Sequence, residues 1–243
     1  LPLQPDEATA LGTYANRRWD EAMLAACGLN EDHMPRLVEG SEVSAQLLPA
    51  RAQAWGWDHP VLVAGGAGDN AASAIGVGAM APGQGFVSLG TSGVIFRVSA
   101  QFDPAPEQAV HAFAHGLPQR WHQMSVMLSA ASALGWLARL SGTPETQLSA
   151  MVAAMPLARR MQAPLFLPYL QGERTPHNNP LLTANLSGLQ AGHELADLAY
   201  AVMEGVGLGL LDGWRAMGQT GPSAVSLALV GGGARSDAWA QLL

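Results

Sequence analysis

Three glycine-rich turns, each directly after a strand-like apolar run, are the segments of this sequence best suited to chemistry. They occupy residues 65–70, 90–93 and 231–233, and the apolar runs before them are residues 60–64, 85–89 and 226–230. Glycine lets the backbone approach a ligand closely, and a turn that opens a helix can hold an anion with its N–H groups. All three lack the Walker lysine and the GxGxxG spacing. Each turn taken alone therefore favours a tight turn that binds no ligand.

Asp69 is the carboxylate of the first turn, at a strand end just before a small-residue helix that is predicted to end near Gly78. An Asp at that position is a good helix N-cap, because its side chain accepts an N–H from the first helical turn. It is also suited to act as a general base. The spacing leaves both interpretations open, and they are compatible because a cap fixes the orientation of the carboxylate.

Other polar residues offer weaker signals. His111 and His115 are four apart, but HxxxH without a partnering Glu is a poor zinc motif, so packing or solvent exposure is expected for both. Residues 171–180 include Glu173, Arg174 and His177 and are interpreted as a surface loop held by its own salt bridge, with room for a structural role. No protein metal ligand is predicted.

Composition restricts the class of protein. Apolar residues make up 49% and aromatic residues 6%, and Gly is abundant, which favours a globular α/β protein. The formal charge of −7 and the scattered Arg residues argue against a nucleic-acid partner. The single cysteine, Cys27, excludes an internal disulfide and a thiolate zinc cluster. No apolar run suits a membrane span and no signal peptide opens the chain, so a cytoplasmic protein is expected.

The remaining sequence predicts the elements that position these turns. Apolar spacing of three and four residues indicates helices, and continuous or alternating apolar runs indicate strands. Helices are expected at 19–27, 47–57, 129–141, 194–217 and from 236, and strands at 60–64, 85–89, 94–98, 110–115, 120–124 and 226–230. Residues 164–170 form an apolar segment that ends in a polar loop. A loop and short strand are expected over 34–43. The whole predicts a mixed sheet covered by helices.

Several segments together resemble the FGGY family of carbohydrate kinases. VAGGAGDN at residues 63–70 resembles the catalytic-aspartate turn of the family, SLGTSG at 88–93 its second phosphate loop, and LVGGGARS at 229–236 its adenosine loop. Residues 184–204 resemble the second family signature. FLPYLQGERTP at 166–176 and MPRLVEGSEV at 34–43 are most similar to the xylulose kinases within the family. The resemblance extends over nearly the whole chain, and the combination of segments makes it specific.

The resemblance implies an actin-like (ribonuclease H-like) fold of two related domains, with the active site in the cleft between them. Residues 1–59 are then expected to be the end of the first, sugar-binding domain, and residues 60–243 a nucleotide-binding second domain that stops short of its own end. The Asp-x-Gly-Thr phosphate loop and the sugar contacts of the first domain are expected to be missing. The chain alone is therefore expected to be inactive.

The resemblance also implies a role for particular residues. Asp69 would take the proton of the sugar O5 hydroxyl as that oxygen attacks the γ-phosphate of ATP, and Asn70 would help to hold the sugar. Mg²⁺ would bridge the phosphates and keep most of its water ligands. Residues expected to contact the nucleotide are Gly90, Thr91, Ala131, Gly135, Gly232, Gly233, Ala234 and Asp237. Close helix packing explains Ala131 and Gly135 equally well. The expected partners are the sugar and ATP; a homodimer stays open, because the sequence does not reveal the oligomeric state.

Two alternatives stay open at this stage. The first is another activity of the same family, on ribulose, gluconate, fuculose or glycerol, because sugar selectivity depends largely on the first domain. The second is an adenine-nucleotide-binding module without catalysis, which needs the glycine loops but not a carboxylate at position 69.

Overall fold

The computed structural model describes residues 12–13, 15–218 and 226–243. The chain divides into two compact units. The first unit comprises the described residues up to 84 together with 97–103 and 112–123, and the second comprises 85–96, 104–111 and the described residues from 124 onward.

The described strands are short, which is typical of a mixed α/β protein. They are β1 (Gly12–Thr13), β2 (Arg18–Trp19), β3 (Val43–Gln46), β4 (Leu62–Ala64), β5 (Gly85–Leu89), β6 (Gly93–Ser99), β7 (His111–Ala114), β8 (Trp121–Met127), β9 (Leu165–Leu167), β10 (Asn185–Ser187) and β11 (Leu227–Val230).

The described α-helices are α1 (Glu21–Ala26), α2 (Pro49–Ala54), α3 (Asp69–Gly76), α4 (Ala131–Ser141), α5 (Glu145–Ala153), α6 (Leu157–Arg160), α7 (Leu195–Ala216) and α8 (Asp237–Ala240). Short 3-10 helices cover Glu31–His33, Pro106–Gln108 and Gly232–Arg235. No helix in the described part of the chain combines the length and apolarity that crossing a bilayer demands.

The main sheet has five strands in the order β11-β5-β6-β8-β7. β11 runs parallel to β5, with Leu227 opposite Gly85 and Val230 opposite Ser88. β5 and β6 are joined by three residues only, 90–92, and a connection this short requires an antiparallel pair. The sheet is therefore mixed, and the helices pack against it, which confirms the predicted fold class.

α7 forms the centre of the core of the second unit and packs against β9, α4, α5 and α6. Its buried positions include Ala199, Met203, Val206 and Leu210, which recur at helical spacing on the covered face. A capping box at Glu194 begins the helix: the Glu194 carboxylate accepts the N–H of Asp197, and Asp197 accepts the N–H of Glu194. The prediction of a helix over residues 194–217 is confirmed to within one residue at each end.

The first unit contains a small cluster around Trp19 and Leu24, and a two-stranded sheet of β3 and β4. The sequence predicts a buried strand at residues 60–64, and the burial is wrong. Leu62 is 64% exposed and Val63 38% exposed. A continuous apolar run indicates burial only where other elements cover both faces of the strand, and among the described residues β4 pairs with β3 alone.

Helices α5 and α6 and strand β10 were absent from the predicted elements. In α5 only Leu148 and Val152 are buried. Two apolar positions four residues apart are too few to stand out as a helical pattern in the sequence.

Candidate functional site

In the second unit, the glycine run that follows β11 lies against the end of β5. Gly231 has φ +91, a backbone conformation in which a side chain is strained, and a Cβ atom added to it would lie 2.8 Å from the carbonyl oxygen of Leu89. A Cβ on Gly233 would lie 2.7 Å from the Cβ of Leu89. Because β5 and β11 are parallel, both of their carboxyl ends open at the same edge of the sheet. The second and third glycine turns of the sequence therefore lie side by side.

The turn after β5 is attached to the beginning of α4 through its carbonyl groups. The Gly90 oxygen accepts the N–H of Ala131 at 2.9 Å, and the Thr91 oxygen accepts the N–H of Ala130 at 3.0 Å. The hydroxyl of Ser132 also donates to the Thr91 oxygen, at 2.7 Å. Both peptide units of the turn are trans and planar. The N–H groups of Thr91 and Ser92 therefore point away from α4, and Thr91 is exposed to solvent.

The beginning of α4 and the glycine run after β11 border a cavity of about 530 Å³. The residues that line it come from α4, α5, the glycine run and α8: Ala131, Leu134, Glu145, Thr146, Ser149, Gly232, Gly233, Arg235, Ser236 and Trp239. The structure thus brings together Ala131, Gly232 and Gly233 from the predicted set. The volume lies within the range of small-molecule sites, and apolar walls with a few polar groups are the usual lining.

The other predicted contacts lie around this cavity. Gly135 is buried on α4 next to the lining residue Leu134. Ala234 is half-buried in the 3-10 helix, and Asp237 is the exposed first residue of α8. The described residues that line the cavity do not include Gly90, Thr91, Gly135, Ala234 or Asp237.

Gly135 lies where α4 meets the Glu145 side chain of α5. A Cβ atom there would lie 2.9 Å from the Oε1 atom of Glu145 and 3.6 Å from the guanidinium of Arg139, both of them ends of flexible side chains. The absent side chain therefore leaves room at the cavity wall for the Glu145 carboxylate. Because Glu145 belongs to α5, the glycine also lets a neighbouring helix approach α4 closely, and the interpretation of Gly135 as a close-packing residue stays open.

The sequence analysis missed the wall formed by α5, which contributes Glu145, Thr146 and Ser149. The signal that could have found it is Pro144 followed by Glu145. Proline just before a helix and an acidic residue in its first turn mark a helix start.

Hydrogen bonds fix the lining residues Ser149, Ser236 and Trp239, which form the floor of the cavity. The Ser149 and Ser236 hydroxyl oxygens are 2.5 Å apart, and Ser236 also accepts the N–H of Trp239 at 3.1 Å as the N-cap of α8. The buried indole N–H of Trp239 donates to the Met203 carbonyl of α7 at 3.1 Å. The floor is therefore tied to both α5 and α7.

In the first unit, Asp69 is the first residue of α3, and Gly68 occupies the N-cap position. The interpretation of Asp69 as the cap is therefore wrong by one position. Its Oδ1 atom accepts the backbone N–H of Asn70 at 2.7 Å and the side-chain amide of Asn70 at 3.0 Å. The carboxylate is exposed and Asn70 is half-buried. Asp69 is thus a solvent-accessible carboxylate whose orientation is fixed by its neighbour at a helix N-terminus, where negative charge is favoured.

The two histidines with four-residue spacing have different environments. His115 is fully buried, and burial lowers its pKa to about 4, so its ring is neutral near pH 7. His111 is half-buried, and burial followed by the charge of Arg174 lowers its pKa. Among the residues that the structure describes, no group of three or more His, Cys, Asp or Glu could hold a metal ion.

The loop of residues 171–180 differs from its predicted arrangement. Glu173 is only 3% exposed, and its Oε1 atom accepts the backbone N–H groups of Leu128 at 2.9 Å and Arg174 at 2.7 Å. The described ion pairs do not include Glu173, so the predicted salt bridge within the loop is wrong. Burial raises the pKa of this carboxyl.

Comparison with known proteins agrees with the motifs and the fold. The model of the FGGY carbohydrate kinase C-terminal domain matches residues 85–243, and the model of the N-terminal domain matches residues 8–76. The chain is 51% identical to the xylulose kinase of Escherichia coli K12 over 98% of its length, and 49% identical to that of Klebsiella pneumoniae over 99%. It spans about half the length of these curated relatives, 50% of each.

A solved structure supports the same assignment. The xyloylose kinase from Brucella ovis matches 99% of this chain, and 50% of its own, with a TM-score of 0.94 and 43% identity. The chain described here belongs to the FGGY family of carbohydrate kinases.

Proposed function

We propose that the protein carrying this chain transfers the γ-phosphoryl group of ATP to O5 of D-xylulose, giving D-xylulose 5-phosphate and ADP. The observation that carries the proposal is the 51% identity to a xylulose kinase across 98% of the chain. The cavity between the glycine run and α4 supports the nucleotide part of the proposal, since its size and its mixed lining suit a nucleoside.

The nucleotide is held by the second unit. The N–H groups of Thr91 and Ser92 point away from α4, as the backbone hydrogen bonds of the turn require, and they bind the phosphates together with the backbone at Gly90. Gly232, Gly233 and Ala234 border the adenosine, Ala131 and Gly135 flank the adenine, and Asp237 contacts the nucleotide from the first turn of α8. Mg²⁺ would be held chiefly by the phosphates and water and would neutralise the phosphate charge, which needs no cluster of protein carboxylates.

Asp69 acts as the general base. Its Oδ1 atom is already hydrogen-bonded twice by Asn70, so the other carboxylate oxygen takes the proton of the O5 hydroxyl. As that proton moves, O5 forms a bond to the γ-phosphorus, and the bond from this phosphorus to the bridging oxygen of ADP breaks. Asn70 also holds the sugar. Protein groups contribute mainly positioning to this reaction.

Several features stay predictions. They are the homodimer, the cytoplasmic location and the domain boundary after residue 59. The match to the N-terminal family model ends at residue 76, and the match to the C-terminal model begins at residue 85.

Sugar-dependent ADP release by the full-length protein tests the proposed function. D-xylulose, D-ribulose, gluconate, fuculose and glycerol are each supplied with MgATP, and the phosphorylated position of the product is assigned by ³¹P NMR. Xylulose should give the fastest ADP release and a 5-phosphate. A faster reaction with another substrate would replace the sugar assignment, and nucleotide binding with no sugar-stimulated turnover would favour a module without catalysis.

A further inference from the structure

The loop of residues 171–180 is attached to the end of β8 by two residues. Thr175 donates its N–H to the Val126 carbonyl at 3.1 Å, and its hydroxyl accepts the N–H of Val126 at 3.1 Å. The same hydroxyl donates to the Ala109 carbonyl at 2.8 Å. Glu173 accepts the N–H of Leu128, two residues further along the chain. The loop therefore continues the pairing of β8 beyond Met127, where the strand ends.

Burying the Glu173 carboxylate costs free energy, so a contribution to folding stability does not by itself explain why a carboxylate occupies this position. The side chain is 97% buried, and its Oε2 atom has no hydrogen-bond partner among the described residues. Burying a carboxylate with one oxygen unsatisfied is unfavourable, and a neutral or apolar residue of similar size would avoid the penalty. Its Oε1 atom accepts the N–H groups of Leu128 and Arg174, and of these two contacts only the one with Leu128 joins the loop to another segment.

Leu128 leads directly into the beginning of α4, and that end of the helix contacts the turn at residues 90–92. Ser129 and Ala130 follow it and are both fully buried, which leaves this short connection little freedom to shift. Ala130 and Ala131 then donate their N–H groups to the Thr91 and Gly90 carbonyls. A continuous path of hydrogen bonds and buried backbone thus runs from Glu173 to the turn, and all of it lies within the second unit.

We propose that Glu173 is a positioning residue for the nucleotide: by holding the Leu128 N–H, it sets the N-terminus of α4 and, through it, the orientation of the turn at residues 90–92. The inference rests on the proposed function for the role of that turn in binding phosphates. Glu173 acts through the backbone and does not touch the nucleotide.

Three substitutions of Glu173 test whether this residue positions the turn at residues 90–92 or only stabilises the fold. Glu173→Ala removes the acceptor, and Glu173→Asp withdraws it by one methylene, so in both the Leu128 N–H loses its partner. Glu173→Gln keeps an acceptor oxygen at the same reach. We expect the first two to weaken ADP binding roughly tenfold, the typical effect of one lost charge-assisted hydrogen bond. Glu173→Gln should restore most of the affinity.

Thr175→Val is the matched control. It removes hydroxyl hydrogen bonds of the same loop to Val126 and Ala109, on the strand side of Leu128. It should lower the melting temperature and leave ADP affinity within about twofold of wild type.

The measurement is calorimetric titration of the full-length protein with ADP, combined with KM values for ATP and for the sugar. Positioning predicts that Glu173→Ala and Glu173→Asp raise the KD for ADP and the KM for ATP while the sugar KM changes little. Wild-type ADP affinity in both variants, or an equal loss in Thr175→Val, would overturn the inference. If Glu173→Ala fails to fold, Glu173→Asp decides. ADP binding is measured without sugar, so a failed sugar assignment leaves this test intact.

Discussion

A Cβ atom on Gly231 would lie 2.8 Å from both the carbonyl carbon and the carbonyl oxygen of Leu89. Gly231 follows β11 and Leu89 ends β5, so this close approach joins two loops at the edge of the sheet where both strands finish. The glycine run is therefore held in place by its first residue, and the next residue, Gly232, lines the cavity.

Gly231 and Gly232 should respond differently to the same methyl group. Gly231→Ala places a side chain at φ +91 against the Leu89 carbonyl, so the free energy of unfolding should fall by more than about 1 kcal/mol. Gly232→Ala meets nothing within 4 Å, so stability should be unchanged while ADP affinity falls. Thermal unfolding and ADP titration check both variants. Wild-type ADP affinity in Gly232→Ala would remove this residue from the site.

Gly135→Ala should separate stability from binding at the other wall of the cavity. Alanine is the better helix former by up to about 1 kcal/mol, and the new Cβ would meet only the Glu145 carboxylate at 2.9 Å and the Arg139 guanidinium at 3.6 Å. The free energy of unfolding should stay the same or rise. ADP affinity should fall, because the methyl group and the displaced carboxylate would enter the proposed adenine site. The double variant Gly135→Ala, Glu145→Ala distinguishes these two causes: recovered affinity identifies the carboxylate. Unchanged affinity in the single variant would contradict the placement of adenine.

Asp69→Asn should abolish most of the kinase turnover. The amide cannot accept the hydroxyl proton, and the loss of a general base typically lowers kcat by about 10²–10⁴. Affinity for ADP should be unchanged, because Asp69 belongs to the first unit and the cavity proposed to bind the nucleotide is lined entirely by residues of the second. Asp58→Asn is the control, since that side chain is 98% exposed. Near-normal turnover in Asp69→Asn would refute the base assignment.

An ion pair between Arg159 and Asp197 should make stability depend on pH. The Asp197 side chain is 3% exposed, and its two oxygens accept from the Nε and Nη2 atoms of Arg159 at 2.8 and 2.7 Å. The guanidinium lowers the pKa of Asp197 from 3.8 to about 2. A carboxylate with a depressed folded-state pKa stabilises the protein above the unfolded pKa. That stability is lost as the pH falls from 3.8 towards 2.

Asp197→Asn should therefore lower the free energy of unfolding by about 1–2 kcal/mol at pH 7. This loss is smaller than the pKa shift of Asp197 alone implies, because solvent reaches Arg159 and screens the ion pair. It should also flatten the acid side of the stability profile. Glu194→Gln is the control: Glu194 pairs with the same Arg159 but is 71% exposed, so its effect should be smaller. Denaturant titrations between pH 2.5 and 7 measure both. An acid limb as steep as that of wild type in Asp197→Asn would count against the ion pair.

Local sequence features were sufficient to predict the mixed α/β class, the long helix α7 and the three glycine turns after strands. Each depends on spacing or turn chemistry within a few neighbouring residues, such as the buried stripe of α7 or the glycines that end β11. The same local features pointed to Asp69 as a helix cap, but Asp69 begins its helix and Gly68 holds the cap position. Its role as general base stays a prediction.

Tertiary structure decided what surrounds those features. The exposure of Leu62, the cavity wall formed by Glu145 and the burial of Glu173 depend on which surfaces meet, and no local pattern encodes that. Glu173 and Leu128 are 45 positions apart, and the charge of Glu173 beside Arg174 suggested a surface pair. A hydrogen bond between distant segments forms only after the chain has folded, so spacing along the sequence does not reveal it.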